Sequence, residues 1–538
     1  MPRYTYEPFP YKTPPELSGA EPRRRPVVIV GAGPVGLAAA IDCALHGIPC
    51  TVLDDNDVVS VGSRAICWSK RTLEIFDRLG VGDRMVEKGV TWKVGRLFHR
   101  DKEVWNFDLL PEAGHKMPAF INLQQYYVEQ YLVERAADFP DLIDLRWKNR
   151  VTGVEPRADG AKVSVETPDG AYELETDWVI ACDGARSVLR SMMGLDFEGR
   201  VFEERFLIAD VEMKADLPSE RWFWFEPPFH SGQSALLHKQ PDNIYRIDLQ
   251  LGWDADPEEE KKPENVLPRI EKVIGRSDFE LDWVSVYTFQ CRRLERFVHG
   301  RVVFAGDSAH IVSPFGARGG NGGIQDVDNL VWKLALVIGG AAPESLVATY
   351  DEERIHGADE NIANSARATS FMTPKSGMER LFRDCVLDLA GEHEFARRLV
   401  NSGRLSRPCS LEGMSLQTPD DGSEGIAPGA AMSDAPVGNG RGEGWLLRHV
   451  GGRFSVMAVE AELPEDLPGE IDSVFVTRDP ARRANHASTL VDTEGVVAAR
   501  YGAGNTYLIR PDQHVAARFR NPSAIDIKSA YDRATARA

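Results

Sequence analysis

Residues 27–36 of the chain are Val-Val-Ile-Val-Gly-Ala-Gly-Pro-Val-Gly, and this stretch decides the fold of the N-terminal half. Its β-branched start predicts a short buried strand. Gly31, Gly33 and Gly36 follow with the spacing G-x-G-x-x-G, and a helix-forming segment comes next. In this pattern the first glycine makes a tight turn, the second lets the backbone approach a pyrophosphate, and the third lets helix and strand pack closely. The stretch therefore predicts a dinucleotide site, without distinguishing FAD from NAD(P).

An acidic residue completes this pattern. A second strand is predicted at Thr51–Leu53, and it ends in Asp54. An acid at this position binds a ribose hydroxyl in dinucleotide folds. The N-terminus of the helix between the two strands offers free N–H groups to phosphates. Strand, glycine loop, helix, second strand and acid stand in the expected order, so we predict an α/β domain of the Rossmann type.

The composition excludes several classes of partner. The chain has 538 residues and a formal net charge of −19, and no apolar run is long enough to span a membrane. Without a basic surface, we expect neither nucleic acid nor a membrane as a partner. The 7 cysteines include no C-x-x-C pair. This pattern indicates reduced thiols in a cytoplasmic protein and no metal site.

The ends of two further predicted strands carry polar residues, and a third segment is rich in glycine. One predicted strand leads into Cys182–Ser187, with the sequence CDGARS, and another leads into Gly306–His310, GDSAH. The run Gly316–Gly323, GARGGNGG, comes directly before a helix with an apolar period near 3.6. Glycine weakens regular structure, so this run indicates a close approach of the backbone to another group. The helix N-terminus in this run suits developing negative charge.

The middle of the chain has a different sequence pattern. Between about residues 201 and 290, short alternating segments rich in aromatic residues predict a mostly antiparallel sheet. Sheet core explains most of these aromatic residues, and an apolar ligand pocket would use the same types. We divide the chain into an irregular arm (1–25), a nucleotide-binding domain (26–200 and 291–400), the inserted sheet (201–290), a linker (401–429) and a C-terminal domain (430–538).

The motifs at 31–36, 182–187 and 306–314 resemble, in order and spacing, those of the single-component FAD-dependent aromatic hydroxylases, the p-hydroxybenzoate hydroxylase-like monooxygenases. Within that group the chain is similar to phenol hydroxylase and 3-(3-hydroxyphenyl)propionate hydroxylase relatives. The resemblance covers about residues 26–395. It implies a substrate-binding role for the inserted sheet and a thioredoxin-like fold for residues 430–538. No cysteine follows Cys409, so that domain is expected to be structural or an oligomer contact, as in a homodimer.

The resemblance also implies roles for individual residues in FAD binding. Gly31, Gly33 and Gly36 would hold the pyrophosphate, and Asp54, with Asp55 as the alternative, would bind the adenosine ribose. Gln125 matches a glutamine beside the cofactor, with Gln124 as the other possible register. The remaining implied FAD residues are Arg64 near the phosphates, Asp183 and Arg186, Gly306 and Asp307 at the ribityl chain, Pro314, and Gly320, Asn321 and Gly322 along the isoalloxazine ring.

The implied reaction needs NADPH or NADH as a transient co-substrate and O2. Reduced flavin adds O2 to form a C4a-hydroperoxide, and one oxygen is transferred to an electron-rich, phenolic ring. A base whose pKa lies near the working pH would deprotonate the phenol. The candidate bases are His238, Tyr245 and Tyr287, and the candidate substrate contacts are Arg246 for a carboxylate, Trp224 and Pro314.

Two alternative functions stay open. One is another FAD enzyme of the same fold, such as an epoxidase, a reductase or a halogenase. Trp222 and Trp224 match part of the W-x-W-x-I-P motif of flavin halogenases, but the isoleucine is absent. The other is a non-catalytic flavin-binding protein, against which the intact glycine run at 316–323 argues.

Overall fold

A computed structural model provides the structure of this chain. It describes the backbone of residues 4–19, 24–62, 64–252, 254–313, 316–400, 407–420, 422, 424–438, 442–484 and 487–538, and within these ranges the side chains of all but residues 200, 202 and 203.

The described residues form the following strands and helices. The strands are β1 Arg25–Val30, β2 Cys50–Leu53, β3 Cys67–Ser69, β4 Val90–Trp92, β5 Val94–His99, β6 Lys102–Asp108, β7 Phe120–Asn122, β8 Ile143–Arg146, β9 Arg150–Pro156, β10 Ala161–Thr167, β11 Gly170–Ala181, β12 Glu198–Glu212, β13 Arg221–Phe225, β14 Ser234–Lys239, β15 Ile244–Leu251, β16 Glu280–Arg293, β17 Val298–His299, β18 Val302–Phe304, β19 His310–Ile311, β20 Pro436–Gly438, β21 Glu443–Trp445, β22 Ser455–Val459, β23 Asp472–Thr477, β24 Ser488–Val491, β25 Asn505–Ile509 and β26 Val515–Arg520. The helices are α1 Pro34–Leu45, α2 Lys70–Arg78, α3 Gly82–Lys88, α4 Gln125–Ala136, α5 Val188–Met192, α6 Pro257–Glu260, α7 Pro263–Ile274, α8 Gly319–Ile338, α9 Ser345–Met372, α10 Gly377–Ala390, α11 Glu394–Val400, α12 Val496–Tyr501 and α13 Ala524–Ala534.

The first sheet has the strand order β17-β18-β11-β1-β2-β8, and β10 and β9 extend it from β11. The strands β18, β11, β1, β2 and β8 run parallel to one another, whereas β17 and β10 pair antiparallel with β18 and β11. Because the carboxyl ends of parallel strands meet at one edge, the loops after β1, β2, β11 and β18 come together there. The helices α1 and α8 pack against each other beside this edge.

The second sheet has the order β19-β16-β12-β15-β14-β13-β5-β6 and is antiparallel except for the β13–β5 pair. We expected this sheet within residues 201–290, but it also takes in β5, β6, β19 and the start of β12. The physical reason is the backbone pairing of β5 with β13, for example Arg221 with Gly95, which joins segments far apart in sequence. A small third sheet has the strand order β3-β7-β4.

The two faces of the second sheet have different neighbours. One face carries Tyr245, Ile247 and Leu249 and packs against Val266 and Ile270 of α7; we call it the α7 face. Side chains alternate along a strand, so Arg246 and Asp248 of β15 point to the opposite side. That side, the β3 face, is approached by Cys67 of β3. Farther along the β3 face, aromatic residues of the sheet pack on α9 and α10.

The C-terminal domain has a sheet of its own, ordered β21-β20-β24-β23-β22-β25-β26. Its contact with the first domain is both apolar and ionic. Phe454 stacks edge-on against Trp332 of α8 at 5.6 Å. Arg510 donates to Glu353 of α9, and both side chains are fully buried. Among the described residues, no helix combines the length and apolar character needed to cross a membrane.

Candidate FAD site and substrate face

Glycine is required at two positions of the loop between β1 and α1. Gly31 has φ +104°, and a Cβ there would collide with the Cys182 carbonyl of the loop after β11. A Cβ on Gly36 would collide with the carbonyl oxygen of Gly31. At Gly33, by contrast, the Cβ position has no atom within 4 Å. This open space in front of Gly33, at the N-terminus of α1, fits the approach of a pyrophosphate.

Asp54 lies at the end of β2 and holds the same loop. Its Oδ2 accepts a hydrogen bond from the Ala32 N–H at 2.6 Å, and its Oδ1 accepts one from the Asn56 N–H at 2.9 Å. Burial raises the pKa of this carboxyl, and the two hydrogen bonds oppose the rise. The carboxylate therefore stands beside the glycine loop, where a ribose role for it remains a prediction.

Gln125 positions the segment that leads to Arg64. Its Nε2 donates to Ser60 Oγ at 3.1 Å and to Glu129 at 2.8 Å, and its Oε1 accepts from the Ala65 N–H at 3.1 Å. The neighbouring Gln124 is also buried, and both polar atoms of its amide lack a hydrogen-bond partner among the described residues. The structure thus gives Gln125 a supporting role.

The loop after β11 presents a second carboxylate. Asp183 Oδ2 accepts from the Leu189 N–H at 3.0 Å, whereas its Oδ1 is buried without a partner among the described residues. Burial raises the pKa of Asp183. Arg186 is exposed, so its side chain is available to a ligand only at the protein surface.

A buried ionic network fixes the loop after β18. Asp326 of α8 accepts from the Gly306 N–H at 2.9 Å and from Arg354 Nε at 2.7 Å, and it lies 2.6 Å from His310 Nε2. Burial alone would raise the pKa of Asp326, but the charges of His310 and Arg354 bring it down to about 2. The sequence motif contained Asp326, but no pattern in it indicated this role.

We call the region between the loops after β1 and β18 and the N-terminus of α8 the cleft. Asp307 and the glycine run border it, next to this network. Asp307 is exposed, and its Oδ1 lies 3.9 Å from the place of a Cβ on Gly319. Nearby protein atoms partly desolvate the carboxyl and raise its pKa, against the opposing effect of His310 and Arg64. A Cβ on Gly320 would lie 3.3 Å from the Trp68 ring, and one on Gly322 would lie 3.3 Å from His310.

The side chain of Asn321 makes hydrogen bonds within the protein, and its predicted place along the isoalloxazine ring stays a prediction. Its Oδ1 accepts from the Ser69 N–H at 2.9 Å, and its Nδ2 donates to the carbonyls of Cys67 and Ala317. The amide therefore joins α8 to β3, and only the backbone of Asn321 remains for a flavin ring. Pro314, predicted at both cofactor and substrate, lies outside the described residues.

Tyr245, a predicted base, and Trp224, a predicted substrate contact, both lie on the side of the second sheet that faces away from β3, and their roles stay predictions. Tyr245 is on the α7 face, and its hydroxyl donates to the Ala215 carbonyl at 2.8 Å. Trp224 packs on the same face, stacked on Phe98 at 5.4 Å. The alternation of side chains along each strand turns both residues away from β3. Tyr287 is 37% exposed, and a catalytic role for it stays a prediction.

Arg246 lies on the β3 face, but its guanidinium is already paired. Its Nε and Nη2 donate to the two oxygens of Asp210 at 2.9 and 3.0 Å, and its Nη1 donates to the Arg64 carbonyl at 3.0 Å. A carboxylate-binding role for Arg246 stays a prediction, and in this structure its guanidinium donates to protein acceptors. Arg246 thereby connects the second sheet to the segment beside the cleft.

His238 lies deep in the β3 face, with only 2% of its surface exposed. Its Nδ1 lies 3.9 Å from Cys67 Sγ, and its Nε2 lies 3.7 Å from Asp248 Oδ2. Burial and the charges of Arg221 and Arg246 hold the pKa of His238 well below its usual range, so the ring is neutral. Burial raises the pKa of Asp248 to about 6, although both arginines oppose the rise.

Comparison with known proteins identifies the family. Residues 24–365 match the family model described as an FAD binding domain. The chain belongs to this family. The predicted relationship to FAD-dependent aromatic hydroxylases is confirmed, and the chain is an FAD-dependent monooxygenase.

Three relatives show the range of this family. A flavin-dependent monooxygenase of Mycobacteroides abscessus is 33% identical over 345 residues, 61% of this chain and 71% of the relative. A probable NADH-specific resorcinol 4-hydroxylase of Rhodococcus jostii is 31% identical over 347 residues, 62% of this chain and 63% of the relative. A dialkyldecalin synthase of Streptomyces rugosporus is 27% identical over 484 residues, 88% of this chain and 95% of the relative.

The fold extends over nearly the whole chain in a solved structure. The flavin-dependent monooxygenase PieE, in complex with FAD and substrate, superposes with a TM-score of 0.78 at 22% identity. The match covers 96% of this chain and 100% of that chain. At this identity it shows the shared fold.

Proposed function

We propose that this enzyme hydroxylates a small phenolic substrate, with NADH or NADPH as the reductant. In this reaction the substrate C–H becomes C–OH. One oxygen atom of O2 is inserted, and the other is reduced to water with the two electrons that the nicotinamide supplies. The observation that carries the proposal is the bond from Arg246 Nη1 to the Arg64 carbonyl. It sets the polar β3 face of the second sheet directly beside the loops that fit FAD.

Four features of the chain support the way FAD would be held. The open space at Gly33 would receive the pyrophosphate, and the free Oδ1 of Asp183 would accept a hydrogen bond from the cofactor. Asp307 would face the ribityl chain from the cleft. Glycines at the N-terminus of α8 would bring backbone N–H groups to the flavin, where they favour negative charge on the reduced ring. Bound FAD supplies electron transfer and O2 activation.

The apolar cluster around Cys67 suits the binding of an aromatic substrate and the exclusion of water from it. Trp92 stacks on Phe120 at 4.8 Å, and both side chains are buried beside Cys67. Ala317, in the turn before α8, joins this apolar cluster. An apolar wall next to polar groups such as His238 would orient a phenol ring and keep water from the reacting atoms.

We further propose a thioredoxin-like, structural role for residues 430–538 in a cytoplasmic enzyme that forms homodimers. The parallel strands β22, β23 and β24, followed by the antiparallel β25 and β26, support this fold for the domain. Cysteines are absent from it. Sedimentation of the full-length enzyme would report its oligomeric state.

The test uses the purified holoenzyme with NADH or NADPH, 18O-labelled O2 and a panel of phenols. Hydroxylation requires faster nicotinamide oxidation together with a product that carries one labelled oxygen. Faster oxidation with only hydrogen peroxide as product would contradict the proposal for that phenol. Conversion of a substrate without any consumption of nicotinamide would instead support chemistry like that named for the dialkyldecalin synthase.

A further inference from the structure

The helices α10 and α11 expose an unusual amount of apolar surface. Of the 14 large apolar side chains that are exposed among the described residues, six lie on these two helices, which pack against each other. Their exposed fractions range from 37% to 74%. We call this surface the α10–α11 face. Its six residues are Met378, Leu381, Phe382 and Leu389 of α10, and Phe395 and Leu399 of α11.

Helix α10 has two apolar sides. One side is buried, and Leu387 there packs into an apolar cluster of the second sheet. The other side carries exposed residues at intervals of four, three and four positions, which places them on one stripe of the helix. These are Met378, Phe382, Cys385 and Leu389. Packing on the sheet therefore leaves the second stripe without cover by the described residues.

The rest of the sequence offers little that could cover this face. The longest stretch outside the described ranges, residues 401–406, has the sequence Asn-Ser-Gly-Arg-Leu-Ser and contains one large apolar residue. Six large apolar side chains need an apolar partner of similar size, because the gain on burial is proportional to the apolar area removed from water. An occupant of the face therefore comes from outside the single chain.

The size of the face matches what a stable dimer needs. Large apolar side chains each present on the order of 150 Å² when fully exposed, so the six together expose roughly 500 Å². A standard interface buries about 800 Å² on each partner, and about 65% of a homodimer interface is apolar. The apolar part of such an interface is close to the apolar area of the α10–α11 face.

The charges around the face favour a second copy of this chain as its occupant. Residues 375–400 hold as many basic as acidic residues, whereas the whole chain has a net charge of −19. An acidic surface keeps copies apart, but two copies can approach each other at this balanced segment. With no basic excess, the segment does not attract an anionic membrane. Its charged residues are Lys375, Arg380, Arg383, Arg397 and Arg398 against Glu379, Asp384, Asp388, Glu392 and Glu394.

We propose that two copies of this enzyme form a homodimer through the α10–α11 face. The inference rests on the homodimer proposed above and names the surface that forms it. About a twofold axis the same patch of both subunits covers its counterpart, so one apolar face per chain is sufficient. Because α10 also packs on the second sheet, the dimer contact braces that sheet from its outer side.

The first test is sedimentation velocity of the full-length holoenzyme at a series of concentrations, which gives the dissociation constant of the dimer. Phe382→Asp places a charge within the face. We expect this variant to weaken the dimer roughly 30-fold or more, as the loss of an aromatic hot spot does.

A matched control is available in the C-terminal domain. Ile525 of α13 is 76% exposed, so Ile525→Asp makes the same kind of change away from the face. This variant should leave the dissociation constant of the dimer unchanged. Because both side chains are exposed, the FAD content of both variants should equal that of the unaltered enzyme.

A second measurement reports on the face directly. Cys385 is exposed, whereas the other six cysteines are buried or half-buried. A maleimide should therefore label Cys385 first, and this labelling should slow as the protein concentration rises through the dissociation constant. In Phe382→Asp the labelling rate should stay the same over that range.

Several results would overturn the assignment of this face. A monomer at every concentration would reject the homodimer as well. A dimer that persists in Phe382→Asp, a dimer in which Cys385 stays fully reactive, or equal weakening by Ile525→Asp would place the contact on another surface. Protection of Cys385 in a monomer by phosphatidylcholine vesicles alone would assign the face to a membrane. Phenol hydroxylation by the same preparation reports on the proposed reaction separately, so failure of the dimer and failure of the hydroxylase are distinguishable.

Discussion

Arg246 Nη1 donates to the backbone carbonyl of Arg64 at 3.0 Å, and this bond ties the second sheet to the segment beside the cofactor cleft. The same guanidinium holds Asp210, which is only 1% exposed. The buried Arg246–Asp210 ion pair is thus one of the contacts that fix the second sheet relative to this segment, together with the bond from Asn122 Nδ2 to the Lys239 carbonyl. A substrate on the β3 face would be aligned with the flavin through these contacts.

Removal of Arg246 should destabilise the enzyme strongly. In Arg246→Met the carboxylate of Asp210 is left buried without its partner, which costs about 3–5 kcal/mol of the free energy of unfolding. Urea denaturation of the holoenzyme measures the loss. The double variant Arg246→Met with Asp210→Asn should recover part of it, because no charge then remains unpaired. Equal stability of the single variant and the unaltered enzyme would contradict this role.

The space in front of Gly33 should be needed for FAD. Gly33→Ala adds a methyl group where the pyrophosphate would lie, and a methyl group without room costs about 1–3 kcal/mol. We expect the FAD affinity to fall about tenfold to hundredfold. Gly469→Ala is the control, since its Cβ position is equally open but lies in the C-terminal domain. Flavin fluorescence on titration of the apoenzyme separates the two, and equal affinities would refute the assignment.

Asp326 should stabilise the fold at neutral pH. Its pKa of about 2 in the folded chain lies below the unfolded value of about 3.9. The ionised carboxylate therefore contributes its full stability above pH 4 or so, and this contribution is lost as the pH falls toward 2. Asp326→Asn should cost about 3–5 kcal/mol at pH 7, since Arg354 loses its buried partner.

The control for this variant is a surface pair. Asp359 pairs with Arg293 and its side chain is 52% exposed, so Asp359→Asn should cost less than about 1 kcal/mol. Thermal denaturation at pH 7 and at pH 4 compares the two variants. A small effect of Asp326→Asn would contradict the role of the network around Gly306.

The C-terminal domain should depend on Glu353 for its attachment. Glu353 accepts from Lys333 at 2.8 Å and from Arg510, and all three side chains are buried. Glu353→Gln leaves Lys333 buried without its carboxylate, whereas Arg510 keeps its pair with Asp512, and the expected cost is about 3–5 kcal/mol. Limited proteolysis should then cleave the chain faster between the domains. Glu344→Gln, which affects an exposed pair with Arg301, should not change the cleavage rate.

The local sequence determined the nucleotide-binding half of this protein. The order of strand, glycine loop, helix and acid requires only neighbours in the chain, and the steric exclusion at Gly36 by the Gly31 carbonyl follows from that local geometry. The strand–loop junctions at Asp183 and Asp307 were found for the same reason. Each lies at the carboxyl end of a parallel strand, where topology brings such loops together.

Only the tertiary structure decided which side of the second sheet faces β3. The alternation along β15 places Tyr245 and Arg246 on opposite sides, but nothing in the strand itself says which side meets β3. That choice depends on packing against α7 and on the pairing of β13 with the distant β5. Which charged residues meet depends in turn on cross-strand register. The sequence therefore identified Arg246 as a charged residue on the sheet, and only the three-dimensional arrangement showed that Asp210, its cross-strand partner, neutralises it.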